Sequence, residues 1–218
     1  MLLPRPVRAV VFDMDGLLVD TEVVVRDAMI SVAAAMGATL PEATIHRMIG
    51  LPRAESDEVA IAHFGLGFDY VAFTKAVDEG VDAACEAGIA VKAGACELLD
   101  ALEARGVPTA VATSSGHPAV RRTLGPSGLF ERFHSIVAAG DYARGKPAPD
   151  PFLVAAARLG AAPADCLALE DSHNGVRAAH AAGMMTIMVP DLMAATDDIR
   201  ARCHAVVETL HEVLELIG

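Results

Sequence analysis

The chain has 218 residues, with 17 Lys and Arg against 29 Asp and Glu for a formal net charge of −12, and 53% of its residues are hydrophobic. That length exceeds the usual single domain and falls short of two, so a core domain with one smaller module is expected. The acidic balance argues against a nucleic-acid or anionic-membrane surface, which needs a basic patch, and the mean hydropathy of +0.41 comes from scattered Ala and Val with no run near the roughly 20 apolar residues of a membrane span.

Val7 to Phe12 is a short apolar run flanked by prolines and ending at an aspartate. It predicts a strand, and it has the wrong flanks for a signal peptide. An alanine-rich helical pattern follows from Thr21 to Met36. Residues 40 to 90 carry helical periodicities alone, broken at Gly50-Leu51-Pro52 and at Gly65-Leu66-Gly67. From Gly94 onward strands and helices alternate: helix 95–105, strand 107–112, helix 117–124, strand 134–138, helix 150–160, strand 166–169, helix 174–182 and strand 184–189. A helix near 195–203, a short strand at Ala205 to Val207 and a closing helix complete the chain.

Repeated βα units imply an α/β fold, a doubly wound parallel sheet with helices on both faces. Asp150-Pro151 predicts an N-cap followed by a first-turn proline, and Gly183 a C-terminal cap. The first strand lies far from its sheet in sequence. The expected organisation is therefore a discontinuous core of residues 1–17 and 91–218, with a helical module of residues 18–90 inserted. Cys85, Cys96, Cys166 and Cys203 form no CxxC pair, which reads as reduced thiols in a cytoplasmic protein.

In open parallel sheets ligands bind beyond the carboxyl ends of the strands. Four polar clusters fall there: Asp13-Met14-Asp15-Gly16, Thr113-Ser114-Ser115, Gly145-Lys146-Pro147 and Glu170-Asp171-Ser172. Each taken alone has a plain structural reading. The first is a polar turn, the third a solvated lysine, the last a helix cap in which Ser172 suffices. The spacing of Asp13 and Asp15 recurs in Asp20-Thr21-Glu22 and in Glu55-Ser56-Asp57, where capping and a solvated face explain it. Two features raise the first cluster: both acids directly follow an apolar strand, and Gly16 permits a close backbone approach by a ligand. Two acidic pairs facing each other repel unless a cation joins them, and an oxygen-only donor set suits Mg2+. Nucleophile, acid/base, hydroxyl donor, cation and metal site on separate strand ends are the parts of a phosphoryl-transfer site.

These four segments, with Leu169-Glu170-Asp171-Ser172-His173-Asn174-Gly175 as the last, resemble in order the four motifs of the haloacid dehalogenase superfamily, in the branch with a helical cap after the first strand. The likeness spans nearly the whole chain and implies a Rossmann-like core. It implies that Asp13 attacks phosphorus and Asp15 acts as acid and then base. Thr113 and Ser114, with a neighbouring backbone amide, hold the phosphoryl group, and Lys146 offsets charge. Mg2+ is held by Asp13, the Asp15 carbonyl, Asp171 and Glu170, while Asn174 orients Lys146. An aspartate at position 15 favours phosphate esters over the halide and phosphonate chemistry of other members.

Gly50 to Ser56 resembles the cap loop of β-phosphoglucomutase-like members, with Arg53 gripping a distal phosphate; a helix start with a solvated arginine is the competing reading. Members that are mutases carry a histidine where this chain has Val25, so the resemblance favours a phosphatase of a small phosphorylated metabolite, as a monomer or small homo-oligomer. A sugar-phosphate mutase is the alternative. A phospho-accepting receiver domain is the remote one, since the helical insertion has no purpose there.

Overall fold

The computed structural model describes residues 3–48 and 53–217, without the side chains of His46, Arg53 and Ala54. Six strands, β1 (Ala9–Phe12), β2 (Thr109–Gly116), β3 (Ser135–Ala139), β4 (Cys166–Glu170), β5 (Met185–Met188) and β6 (Ala205–Val206), pair in the order β3-β2-β1-β4-β5-β6, every pair parallel. The chain builds outward from β1 to β3, then returns to add β4 on the other side. The point where strand order reverses, between β1 and β4, is where a doubly wound sheet opens a crevice.

Alternate residues along each strand serve opposite faces, and the two faces differ in bulk. One carries Val10, Phe12, Val111, Leu167, Leu169, Met185 and Ile187 against Leu98, Leu99 and Leu102 of α5 (Ala95–Ala104), Val120 and Leu124 of α6 (His117–Leu124), and Leu210 and Val213 of α10 (Leu210–Leu216). The other carries Ala9, Val11, Ala110, Ala112, Cys166 and Ala168 against Phe152, Ala155 and Ala156 of α7 (Asp150–Arg158) and Ala178 and Ala179 of α8 (His173–Ala181). Small side chains on both partners bring α7 and α8 close to the sheet. The short α9 (Asp197–Arg200) contributes Ile199 to a further small cluster with Val176 and Met188.

Among the described residues, four helices lie between β1 and α5: α1 (Thr21–Ala35), α2 (Glu42–Met48), α3 (Arg53–Phe64) and α4 (Tyr70–Ala87). They have a cluster of their own, formed by Ala33, Leu40, Ile45, Phe73 and Val77. Phe64 stacks on Phe68 with centroids 4.0 Å apart and meets Phe73 edge-on at 5.1 Å. The turn at Gly65 is made at φ +81°, open to glycine without strain. The two chain passages joining these helices to the sheet run side by side: Val19 and Val91 form an antiparallel bridge, Asp20 N–H donates to the Ala90 carbonyl at 3.0 Å, and Lys92 N–H to Leu18 at 2.9 Å. The break expected at Gly50-Leu51-Pro52 lies outside the described residues.

Several sequence expectations shift. The second strand starts at Thr109 and runs to Gly116, not 107–112, because Gly106 and Val107 still close α5 through bonds to Glu103 and Leu102. Asp150 is the first residue of α7, not its cap; its carboxylate accepts from the Arg144 guanidinium and backbone instead. The helix near 195–203 contracts to α9. Single 3-10 turns at Phe130–Arg132 and Pro163–Asp165 were not anticipated. Gly183 does follow a helix end, at φ +77° with its N–H on His180. Among the described residues no helix is long and apolar enough to cross a membrane.

Phe73 is 1% exposed and centres the aromatic group, so Phe73→Ala should lower unfolding stability by about 3 kcal/mol or more, read from urea denaturation; an unchanged midpoint would mean the four helices do not depend on this cluster.

Candidate active site

Strand register assembles the acids. Phe12 lies opposite Leu169, and Asp13 N–H still donates to the Leu169 carbonyl at 3.0 Å. Asp13 thus leaves β1 beside the point where β4 delivers Glu170 and Asp171. All three side chains are buried, and one carboxylate oxygen from each lies within 4.8 Å of the others. Lys146, on the turn between β3 and α7, enters from the neighbouring side. Its Nζ bonds to Asp13 Oδ1 and, at 2.6 Å, to Glu170 Oε1, with its side chain 7% exposed and the Phe152 ring 5.3 Å away. The Lys146–Pro147 peptide is cis.

Burial disfavours charge on each of these groups. Burial by itself would lower the Lys146 pKa, but Asp13 and Glu170 outweigh it and raise it, holding the ammonium charged. Burial and then Asp13 push Glu170 up to about 7 against the pull of Lys146. Burial, Asp13 and Glu170 raise Asp171 well above the usual carboxylate range, and its Oδ1 is buried with no hydrogen-bond partner. Three carboxylates against one ammonium, one of them with a buried oxygen that has no partner, are a donor set that fits a hard divalent cation.

Two glycines make the packing possible. Gly16 sits at φ +79°, and a Cβ there would collide with the Asp171 carboxylate. On the side where a Cβ would stand, it is Asp171 that approaches the Gly16 backbone closely. Gly175 lies so close to Glu170 that any side chain would overlap its carboxyl. Glu170 Oε2 accepts from Ser172 N–H at 3.2 Å and Ser172 Oγ at 3.0 Å. The same Oγ caps α8 by accepting from Gly175 N–H at 3.1 Å, so Ser172 does serve as the cap.

Asp15 is held apart from this group. Its Oδ2 accepts from Ser115 Oγ at 2.9 Å and from Thr113 Oγ1 at 3.4 Å. Burial and then the charge of Asp13 raise its pKa, against the hydrogen bond from Ser115 and the charge of Lys146. Thr113 is fully buried; its Oγ1 also accepts from Ser115 N–H at 3.0 Å, and its carbonyl from Tyr142 Oη at 2.9 Å. Ser114 is exposed beside it. Asn174 is partly buried in the first turn of α8, with Oδ1 3.4 Å from Arg177. The Arg53 side chain lies outside the described residues.

A cavity of about 600 Å3 opens over this ensemble, lined by Asp13, Asp15, Thr113, Ser114, Lys146, Asp171 and Asn174 on the sheet side. Glu22 and Val25 of α1, Val81, Asp82 and Cys85 of α4, and Arg122 of α6 also line it. Sequence reasoning missed several of these. Glu22, read there as part of a capping or solvated pair, faces the cavity, where burial, then Asp15, Asp191 and Asp13, push its carboxyl up to about 7. Asp20 stands at the N-cap of α1 without a side-chain capping bond and lies 3.5 Å from Lys92 instead. Lys92 also bonds Asp191 at 2.7 Å, a pairing no spacing could reveal.

The model of the family described as haloacid dehalogenase-like hydrolase matches residues 7–183. A Drosophila melanogaster protein named "Probable pseudouridine-5'-phosphatase" is 38% identical over 193 residues, 86% of this chain and 83% of its own length. A phosphorylated carbohydrates phosphatase of Thermotoga maritima is 30% identical over 180 residues, 82% and 83% of the two chains. Among solved structures, CbbY of Rhodobacter sphaeroides in complex with phosphate superposes with a TM-score of 0.80 at 27% identity, over 95% of this chain and 96% of that one.

Gly175→Ala should displace Glu170 and cost both stability and activity, seen as a lower melting temperature and a weaker response of that temperature to added Mg2+; wild-type values would contradict the packing. In metal-free protein, Glu22 has a folded pKa of about 7 above its unfolded value, so the folded state binds the extra proton and stability falls as pH rises from about 4.5 to 7. Glu22→Gln removes that loss and should gain on the order of 1 kcal/mol over wild type at pH 8 but not at pH 4, by denaturation in the presence of a chelator.

Proposed function

The chain belongs to the haloacid dehalogenase-like hydrolases, and from that premise we propose that it is a Mg2+-dependent phosphatase of small phosphomonoesters, working through a phosphorylated Asp13. The observation that carries this is the placement of Asp13, charge-paired with Lys146 and flanked by Glu170 and Asp171, at the floor of a cavity where Asp15 is held separately by Ser115.

An Asp13 oxygen attacks phosphorus as the bond to the leaving oxygen breaks. Asp15, whose raised pKa suits it to hold a proton, gives that proton to the leaving oxygen. It then accepts one from the water that attacks the phosphoryl group, releasing phosphate and restoring the Asp13 carboxylate. Thr113, Ser114 and adjacent backbone amides steady the phosphoryl oxygens, and Lys146, bonded to Asp13, offsets charge beside them. Asp13, the Asp15 carbonyl, Asp171 and Glu170 would hold Mg2+, which when bound neutralises charge on the phosphoryl oxygens. Asn174 orients Lys146, and Arg53 reads a distal group.

Residues 18–90 serve as the cap that closes over substrate, and the core comprises 1–17 and 91–218. The substrate class is a sugar phosphate or a similar metabolite, supported by the names of the fly and Thermotoga relatives. Val25 lines the cavity as an apolar side chain, which supports hydrolysis over mutase turnover, since no histidine stands there to trade protons. The free thiols are consistent with a cytoplasmic location.

Asp13→Asn should lower kcat on p-nitrophenyl phosphate by about 10^3 or more, and chelation should abolish activity that Mg2+ restores. Full activity in Asp13→Asn, or no hydrolysis of aryl or sugar phosphates by the wild type, sinks the proposal. Asp15→Asn should harm sugar phosphates more than p-nitrophenyl phosphate, whose leaving group departs without a proton; equal losses would remove Asp15 from the acid role.

A further inference from the structure

Among the described residues lining the cavity, the cationic side chains are Lys146 and Arg122. Lys146 is consumed by Asp13 and Glu170 and is almost fully buried. Arg122 is different: it lies on α6, with its side chain 37% exposed. One prong of its fork is used, Nη2 on Asp82 of α4 at 2.7 Å, while Nε is buried and has no partner. An arginine grips an anion best through two parallel bonds, and Arg122 must turn its buried Nε toward the cavity to make the second. The neighbouring Arg121 stacks its guanidinium on Phe130 at 4.5 Å and does not line the cavity. Asp82 is 47% exposed, so the pair with Arg122 is water-screened and exchangeable at low cost.

We propose that Arg122 is a specificity-determining residue that receives a second anionic group of the substrate. The preferred class becomes phosphate esters with a further phosphate or carboxylate, such as sugar bisphosphates and phosphorylated sugar acids. α6 starts beside Ser115, which holds Asp15, and Arg122 lies five residues beyond its first residue, roughly 8 Å along the helix axis. That span matches a sugar backbone between the reacting phosphoryl group and the second anion. Val25, Val81, Cys85 and Ala119 line the cavity near it and offer the spacer an apolar wall. Asp82 occupies the guanidinium when no such group is bound, and yields it when one is.

This rests on the phosphatase reading, and the test separates the two. The readout is the ratio of kcat/KM for 6-phosphogluconate to that for glucose 6-phosphate, with p-nitrophenyl phosphate as a substrate without a second anion. In the wild type the ratio should exceed ten. Arg122→Gln should reduce it at least tenfold, Arg122→Lys should keep part of it, and Asp82→Asn should increase it. A wild-type ratio near one, or an Arg122→Gln ratio within twofold of wild type, overturns the proposal. So do losses of similar size on all three substrates in both Arg122→Gln and Asp82→Asn, which would make the pair a tie between α4 and α6 and no more. If the wild type hydrolyses nothing, the phosphatase reading fails by itself. Calorimetric titration of the same two sugar phosphates into Asp13→Asn protein, with and without Arg122→Gln, then decides the role of Arg122: at least tenfold weaker 6-phosphogluconate binding in Arg122→Gln, with glucose 6-phosphate little altered, upholds it, and equal binding of the acid by both proteins overturns it.

Discussion

Everything at the site depends on one electrostatic problem: three carboxylates are buried around a single ammonium. Removing charges from water costs several kcal/mol per ion unless partners replace the lost hydration. The Lys146 ammonium satisfies Asp13 and Glu170, Ser172 satisfies the second Glu170 oxygen, and Asp171 retains an oxygen that nothing satisfies. The ensemble is thus built with a deficit of positive charge. The affinity of such a site for a hard cation arises from that deficit, and so does its need for rigid surroundings. Carboxylates free to move apart would relieve their repulsion without any metal.

That rigidity comes from the sheet. Asp13 and Glu170 are held by the β1–β4 register, and Lys146 approaches from the third strand's crossover. Gly16 and Gly175 are the spaces into which the Asp171 and Glu170 carboxyls fit. A second arrangement, spatially separate, keeps Asp15 on Ser115 and Thr113. Two aspartates two residues apart therefore experience different environments: Asp13 faces an ammonium, Asp15 faces hydroxyls. Different surroundings are what the proposed division of labour, Asp13 as nucleophile and Asp15 as proton carrier, requires.

Much of this was legible from the chain. The alternation of strand and helix from Gly94 onward located the later strands and α-helices to within a few residues, though not the two 3-10 turns, and the polar clusters at strand ends marked Asp13, Asp15, Lys146, Glu170 and Asp171 as candidates. What escaped the sequence falls into three kinds. Some residues have local patterns that fit a blander role: Glu22 sits where a helix wants an acid, and only the fold turns it inward. Others acquire their part from distant partners, as with Lys92 and Asp191, 99 positions apart, or Arg122 and Asp82, which meet because α4 returns across α6. Gly175 belongs to a third situation, where the motif was visible but the reason for a glycine was steric and needed the Glu170 carboxyl in place.

The alanine-lined face of the sheet has an effect on how this protein tolerates change. On the opposite face, leucines, valines and methionines can adjust their rotamers around a new neighbour. Between β1, β4, α7 and α8 most of the buried side chains are alanine methyl groups, which have no rotamers to adjust. Extra bulk at Ala155 or Ala168 must move a whole helix, and α7 begins four residues after Lys146. Genetic drift on that face is thereby coupled to the position of a charge several ångströms away, so a conservative-looking enlargement in the core reaches the chemistry with no residue of the cavity altered.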